Sequence, residues 1–248
     1  MKKLLSATLA LCMLLSLLTL AACGRMGSQK LKLGIGVYTA TQKATDADGE
    51  VNGKGQAAST VAAVLVDKDG KIVKCKLDCA DNTVEYTSDG KFVSKSDFKT
   101  KNEMGSDYGM KELAGSEKEW FEQADAFCAL AVGKDLDTIS ELAADGGRGN
   151  ADVIKAGCTI DVSDFIRAIE KAVAAATDSS ATDKDELKIK VETALVGKDA
   201  SDNTDGYSQL NMTFKAFAGE ENGENTSREE SAEVKFTFDA KGVSTTQG

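Results

Sequence analysis

The chain has 248 residues, 40 acidic and 30 basic side chains, 6 cysteines, and neither histidine nor proline. That length holds one large or two small domains with a proper apolar core. The missing histidine excludes a Ser-His-Asp or Cys-His nucleophile, an imidazole base and His-ligated zinc, copper or haem. Any chemistry must fall to carboxylates, thiols, hydroxyls, lysines or a borrowed cofactor. The missing proline excludes stiff polyproline linkers.

Lys2 and Lys3 precede an apolar stretch, residues 4–20 (LLSATLALCMLLSLLTL), and Leu20-Ala21-Ala22-Cys23 follows at once. A basic start, an apolar stretch and a small-residue cleavage site make a secretory signal. The stretch is slightly short for a transmembrane helix, which needs about 20 apolar residues. The segment resembles a bacterial lipoprotein signal, whose lipobox ends in the cysteine that takes the lipid. The resemblance implies cleavage before Cys23, acyl chains on its thiol, and an extracytoplasmic, membrane-anchored protein. Removing residues 1–22 takes away Lys2 and Lys3 and no acid. The mature surface is therefore more acidic still, which argues against nucleic acid and against adsorption to anionic lipid. Attachment then depends on the acyl chains. Residues 23–30 read as a small, polar tether.

Beyond the tether, Leu31, Leu33, Ile35 and Val37 alternate with polar or glycine positions, the pattern of a half-buried strand. Residues 41–57 read as a Gly- and Asp-rich loop. Its Asp46–Asn52 segment has half of a calcium-loop pattern, but Ala44 and Gly55 fall where oxygen ligands belong, so an acidic β-loop is expected. Thr60–Asp67, the Lys68-Asp69-Gly70 turn and Lys71–Cys79 form a hairpin. Asn82–Ser88 and Lys91–Ser94 around Asp89-Gly90 suggest a second.

The period then changes. Ser116-Glu117-Lys118-Glu119 reads as a capping box opening a helix to about Val132, with Trp120, Ala124, Phe127, Cys128 and Ala131 on one apolar face. Leu136–Ala143 reads as a shorter helix. A second strong helix is expected from about Ser163 to Ala176, with Ser163 as its cap.

Residues 177–186 read as a polar linker, and 187–248 return to strands. Leu187-Lys188-Ile189-Lys190-Val191 echoes Leu31-Lys32-Leu33-Gly34-Ile35, and Lys198–Gly206 echoes Lys43–Gly49. Strands are expected at Met212–Phe217 and Val234–Phe238. The fold class is α+β: an antiparallel sheet with two or three helices over residues 31–176, then a smaller β-rich partial repeat over 187–248. Independent all-β sequence is the alternative for the repeat.

Cys75 and Cys79 share a predicted strand, about 13 Å apart at 3.3 Å per residue, too far for a disulfide. With no C-x-x-C pair to support a metal site, the cysteines after Cys23 read as buried thiols acting as small hydrophobes.

Three stretches, residues 58–79, 99–133 and 156–172, carry a further pattern. A hairpin with an Asp69-Gly70-Lys71 turn is followed by Lys101-x-x-Met104-x-x-x-Tyr108-x-Met110, a helix, Gly157-Cys158-Thr159 and a last helix near Asp164-Phe165. This resembles the FMN-binding domain of the Rnf/Nqr electron-transport subunits and of flavinylated surface lipoproteins. In that family a Ser/Thr-Gly-Ala-Thr segment precedes the last helix, and a dedicated transferase esterifies its final threonine to the FMN phosphate. The resemblance implies Thr159 as the attachment residue, Gly157 as the motif glycine and FMN as cofactor. The chain departs from the motif at Ala156, Cys158 and Val153, where the transferase's upstream aspartate belongs; Asp152 lies one place away. Trp120, Tyr108 and Met110 could flank a flavin ring, and a helix start after Thr159 would favour its phosphate.

Two functions follow. One is a surface-anchored flavoprotein domain that passes electrons outside the membrane, with the cofactor carrying the chemistry and no catalytic side chain. The other is a non-enzymatic ligand-binding or interaction lipoprotein on the same scaffold, in which Thr159 ends a strand, Trp120 is helix core and Cys158 is buried.

Overall fold

A computed structural model describes residues 29–89, 92–95, 97–196, 207–219, 228–239 and 242–247. The expected signal segment and Cys23 lie outside the described residues, as do most of the tether and the Lys198–Gly206 echo. No helix among the described residues is long and apolar enough to cross a membrane.

Four strands open the fold: β1 (Lys32–Thr45), β2 (Gly53–Val66), β3 (Ile72–Tyr86) and β4 (Phe92–Lys95). They pair antiparallel with the short β5 (Thr177–Asp178) in the order β4-β3-β2-β1-β5. A second antiparallel sheet holds β6 (Leu187–Val196), β7 (Tyr207–Ala218), β8 (Arg228–Asp239) and β9 (Gly242–Gln247), in that order. Between the sheets' sequences come α1 (Lys101–Met104), α2 (Met110–Ala114), α3 (Trp120–Ala131), α4 (Ala151–Lys155) and α5 (Ser163–Ala175). The molecule is α+β, as the change of period indicates.

The first sheet is the middle of three layers. One face carries Ala58, Ala62, Val64, Leu77 and Cys79 against α3 and α5. The other carries Leu33, Ile35, Val37, Val61, Leu65 and Val84 against Leu187, Leu210, Met212 and Phe214 of the second sheet. β2 sits centrally and is buried continuously from Ala57 to Val66. A strand covered on both faces has no reason to alternate apolar with polar.

β1 is likewise covered on both faces where it was expected to be half-buried. Its polar-looking face is glycine, and α5 lies on it. A Cβ on Gly34 would collide with Ala172 O, and one on Gly36 with Ala168 O and Ala172 N. These glycines bring helix backbone against strand backbone. Leu31 and Leu33 share the core between the two sheets with Leu187, and Ile189 and Val191 pack against it.

Several local expectations are corrected. β3 runs unbroken through Asn82 to Tyr86, so the first hairpin is longer than expected, while its last residues pair with β4 as the second hairpin expects. The helix beginning at Ser116 begins instead at Trp120, capped by a box between Glu119 and Glu122. Ser116 is occupied elsewhere, its Oγ donating to Lys118 O at 2.8 Å. The segment Leu136–Ala143 forms only a 3-10 turn, Ile139–Leu142, preceded by bonds between Asp135 and Thr138. α5 matches its expected span, yet Ser163 is not its cap; Asp161 Oδ1 accepts the Ser163 amide at 2.8 Å. Within 177–186, Ala181 is fully buried and its carbonyl accepts the Leu31 amide, so this segment is tied to the start of β1.

Candidate functional site

The fold brings Trp120, Tyr108 and Met110, which come from three separate elements, into one hollow of about 310 Å³. β2 and β3 form its floor through Ala58, Thr60, Cys79 and Asp81. The opposite wall is Ile160 and Asp161, followed by Asp164 and Phe165 from the first turn of α5. Trp120 is held edge-on against Phe165, ring centroids 5.6 Å apart, and Phe165 in turn meets Phe127 at 5.5 Å. These contacts lock the indole between core and cleft.

Lys101 reaches into this hollow from α1. Its Nζ lies 4.8 Å from the Tyr108 ring centroid and 5.5 Å from that of Trp120. Burial pulls the ammonium down, but the surrounding Cys79, Tyr108 and Asp81 outweigh it and hold Lys101 above its ordinary value. Burial pushes the Cys79 thiol up to about 11, so it is a neutral thiol at physiological pH. Burial also raises Asp164, with Arg167 opposing and Asp161 adding to the shift. The cleft thus combines aromatic walls, one central cation and three carboxylates.

Thr159 stands beside this hollow, immediately before Ile160, and is exposed. Its amide donates to Gln123 Oε1 at 2.8 Å and its hydroxyl lies 3.3 Å from the same oxygen. Gln123 is fully buried on α3, and its Nε2 donates to Ser116 Oγ and Lys118 O, each at 3.1 Å. Gly157 adopts φ +90°, a backbone conformation that excludes a Cβ without strain, and a Cβ there would also lie 2.6 Å from Lys118 Cε. Lys118 Nζ donates to Ala156 O at 2.7 Å, laying its stem over this turn. Cys158 points into the core, fully buried, with its thiol pushed up to about 11 by burial.

One expectation about this turn changes. α5 starts at Ser163, not directly after Thr159, and its first amide is already bonded to Asp161. The helix N-terminus therefore offers Thr159 less than the sequence suggests. A positively charged side chain that does reach the Gly157 turn is Lys118.

Lys101 and Gln123 complete the site. Lys101 stood in the sequence pattern without a role. Gln123 gave no signal beyond being a polar residue on the apolar face of α3.

A larger hollow of about 680 Å³ lies between α1, α3, β6 and the Lys76–Asp78 stretch of β3. Its charged residues are mostly paired: Lys76 with Asp125, Lys188 with Glu186 and Lys190 with Glu192. It contains none of the residues that the sequence marks for chemistry.

No family model, no curated protein and no solved structure matches this chain. Function therefore has to be argued from the cleft. Ligand pockets span about 300–1,000 Å³, and this hollow lies at the small end of that range. Trp120 and Tyr108 give it aromatic walls, and Thr159 lies beside it with its hydroxyl directed to Gln123.

Proposed function

We propose that this chain is a lipid-anchored extracytoplasmic protein that holds FMN beside Thr159 and passes electrons outside the membrane. The convergence of Trp120, Tyr108 and Met110 on one hollow next to Thr159 carries this reading. Thr159 Oγ1 is the attachment atom, Gly157 makes the turn that presents it, and Lys118 supplies the nearby positive charge. Trp120 and Tyr108 form the ring's walls. FMN, when bound, supplies reversible electron transfer that no side chain of a histidine-free protein offers. The protein's own part is to orient the ring, exclude water from one face of it and hold Lys101 charged against it. Cys23, with its acyl chains, keeps the domain at the membrane.

A second reading is a ligand-binding or interaction lipoprotein without cofactor. Asp81, Asp161 and Asp164 favour it, because carboxylates around one lysine disfavour a phosphate-bearing ligand. Lys101 already covers the two rings, as a bound cation would.

Co-expression with a flavin transferase, followed by fluorescence of a denaturing gel, separates the two. Fluorescence in the wild type that vanishes in Thr159→Ala supports covalent FMN. A non-fluorescent wild type leaves the cofactor-free reading. Anchoring is tested apart from this: Cys23→Ser should release the protein from membranes or leave an uncleaved precursor. A cleaved, membrane-bound Cys23→Ser protein would remove the lipoprotein reading.

A further inference from the structure

We propose that Cys75 and Cys128 are a redox-active pair that closes to a disulfide joining β3 to α3. Cys75, on β3, packs against the core cluster that contains Cys128 of α3, and its thiol is close enough to help hold the Cys128 thiol up. Cys75 lies opposite Val64 of β2 on the helix-facing side of the sheet and is half-buried; Cys128 is buried on the inner face of α3.

The two elements are fastened on both sides of this meeting point. Towards one end, Lys76 Nζ pairs with Asp125 Oδ1 at 2.8 Å. Towards the other, the Ile72 amide donates to Lys134 O at 2.8 Å and the Gly133 amide donates to Ile72 O at 2.7 Å. Cys75 lies between Ile72 and Lys76, and Cys128 lies between Asp125 and Gly133. Bonds that do not involve the thiols thus hold the strand and the helix in register on either side of them.

The oxidant is an external disulfide, small or protein-borne. The Cys75 sulfur, the accessible one, attacks it as a thiolate. One external sulfur leaves as a thiol, and the other stays bonded to Cys75. The Cys128 thiolate then attacks the Cys75 sulfur and expels the second external thiol. One protein S–S bond forms and one external S–S bond breaks. Two electrons pass to the oxidant, and the two protons lost by Cys75 and Cys128 end on the two released thiols. Burial, with the Cys75 thiol and the Asp125 charge adding to it, holds the Cys128 thiol well above its ordinary value. The second step is therefore the slow one and speeds up with rising pH. In the cell the bridge rests on the extracytoplasmic reading, since reducing compartments keep such pairs open.

The test uses purified full-length protein in detergent, treated with oxidised glutathione at alkaline pH, then alkylated and mapped without reduction. Trypsin cuts after Lys74 and Lys76 and so separates Cys75 from Cys79. The expected product links the Cys75 and Cys128 peptides, with Cys79 and Cys158 alkylated. Cys128→Ser should stop at a glutathione adduct on Cys75, and Cys75→Ser should leave Cys128 alkylatable. Wild-type protein that keeps glutathione on Cys75 while Cys128 stays alkylatable overturns the proposal, as does an unchanged thiol count. A pair that links in vitro but is found reduced in protein trapped directly from cells supports the bridge and counts against the extracytoplasmic reading instead.

Discussion

Gln123 Oε1 accepts the Thr159 amide across 36 residues of sequence, and this bond joins the core helix α3 to the turn that presents the candidate attachment hydroxyl. The other end of the same carboxamide holds Ser116 and Lys118. One fully buried side chain thereby positions both Thr159 and the strand of chain that carries Lys118. Buried polar groups satisfied at both ends favour one arrangement, because each alternative leaves a donor or acceptor unpaired.

Gln123→Ala should therefore cost about 1–3 kcal/mol through its unpaired partners, and more for the cavity left behind. Gln123→Glu is nearly isosteric but turns an acceptor towards Lys118 O, so it should lose at least as much. Urea unfolding of both variants checks this. A loss below roughly 0.5 kcal/mol for either would mean that water replaces the carboxamide without cost.

Much of the fold was legible because it is written in short-range pattern. The β2–β3 hairpin, the span of α5 and the apolar face of α3 follow from periodicity and one turn. What escaped depends on distant partners. Gly34 and Gly36 look like the solvent side of β1, yet they are the side on which α5 lies. Two overlapping capping patterns, Ser116 with Glu119 and Glu119 with Glu122, are equally good locally; the buried Glu119 carboxylate, which also accepts the Met110 and Lys111 amides, decides between them. At the site, Trp120, Tyr108, Met110 and Thr159 were identifiable by type. Lys101 and Gln123 were not, since a lysine over two rings and a glutamine under a turn have no local signature.

Removing the aromatic anchor of α3 should be the most damaging core change. Phe127 is fully buried and Trp120 only 5% exposed, and both rings meet Phe165. Phe127→Ala should cost about 3–5 kcal/mol, and Trp120→Ala a similar amount. Because the two share Phe165, the double variant should fall short of additivity in a mutant cycle. A loss near 1 kcal/mol for Trp120→Ala alone would show its face working as an open groove rather than as core.

The glycine face of β1 predicts an unusual sensitivity. Gly36→Ala puts a methyl group into the backbone of α5 at Ala168 and Ala172, and neither side can rotate away. The helix must lift, at a cost of about 1–3 kcal/mol or more. Gly115→Ala meets nothing within 4 Å and suffers only its positive φ, about 1 kcal/mol. Thermal melting of the pair ranks them. Equal losses would mean that α5 is not seated on β1 as described.

The last prediction concerns acid. Asp78 is 5% exposed, and its Oδ1 accepts the Cys79 amide at 2.7 Å and the Asn102 amide at 3.2 Å. Those bonds, with one from the Thr100 hydroxyl, favour the carboxylate, but burial outweighs them and Glu103 adds to it, so the group rises from 3.8 to about 6. The folded chain then binds this proton more tightly than the unfolded chain does. Stability at this site is greatest below about pH 4 and is lost as pH rises towards 6, a difference of about 3 kcal/mol, and it stays flat above. Asp78→Asn keeps an oxygen acceptor for both amides and cannot ionise. Its stability relative to the wild type should therefore improve by about 3 kcal/mol between pH 4 and pH 7. Urea midpoints at four or five pH values give the comparison, and the other carboxylates cancel because both proteins share them. Parallel profiles for the two proteins would mean that Asp78 is solvated or paired well enough to titrate normally.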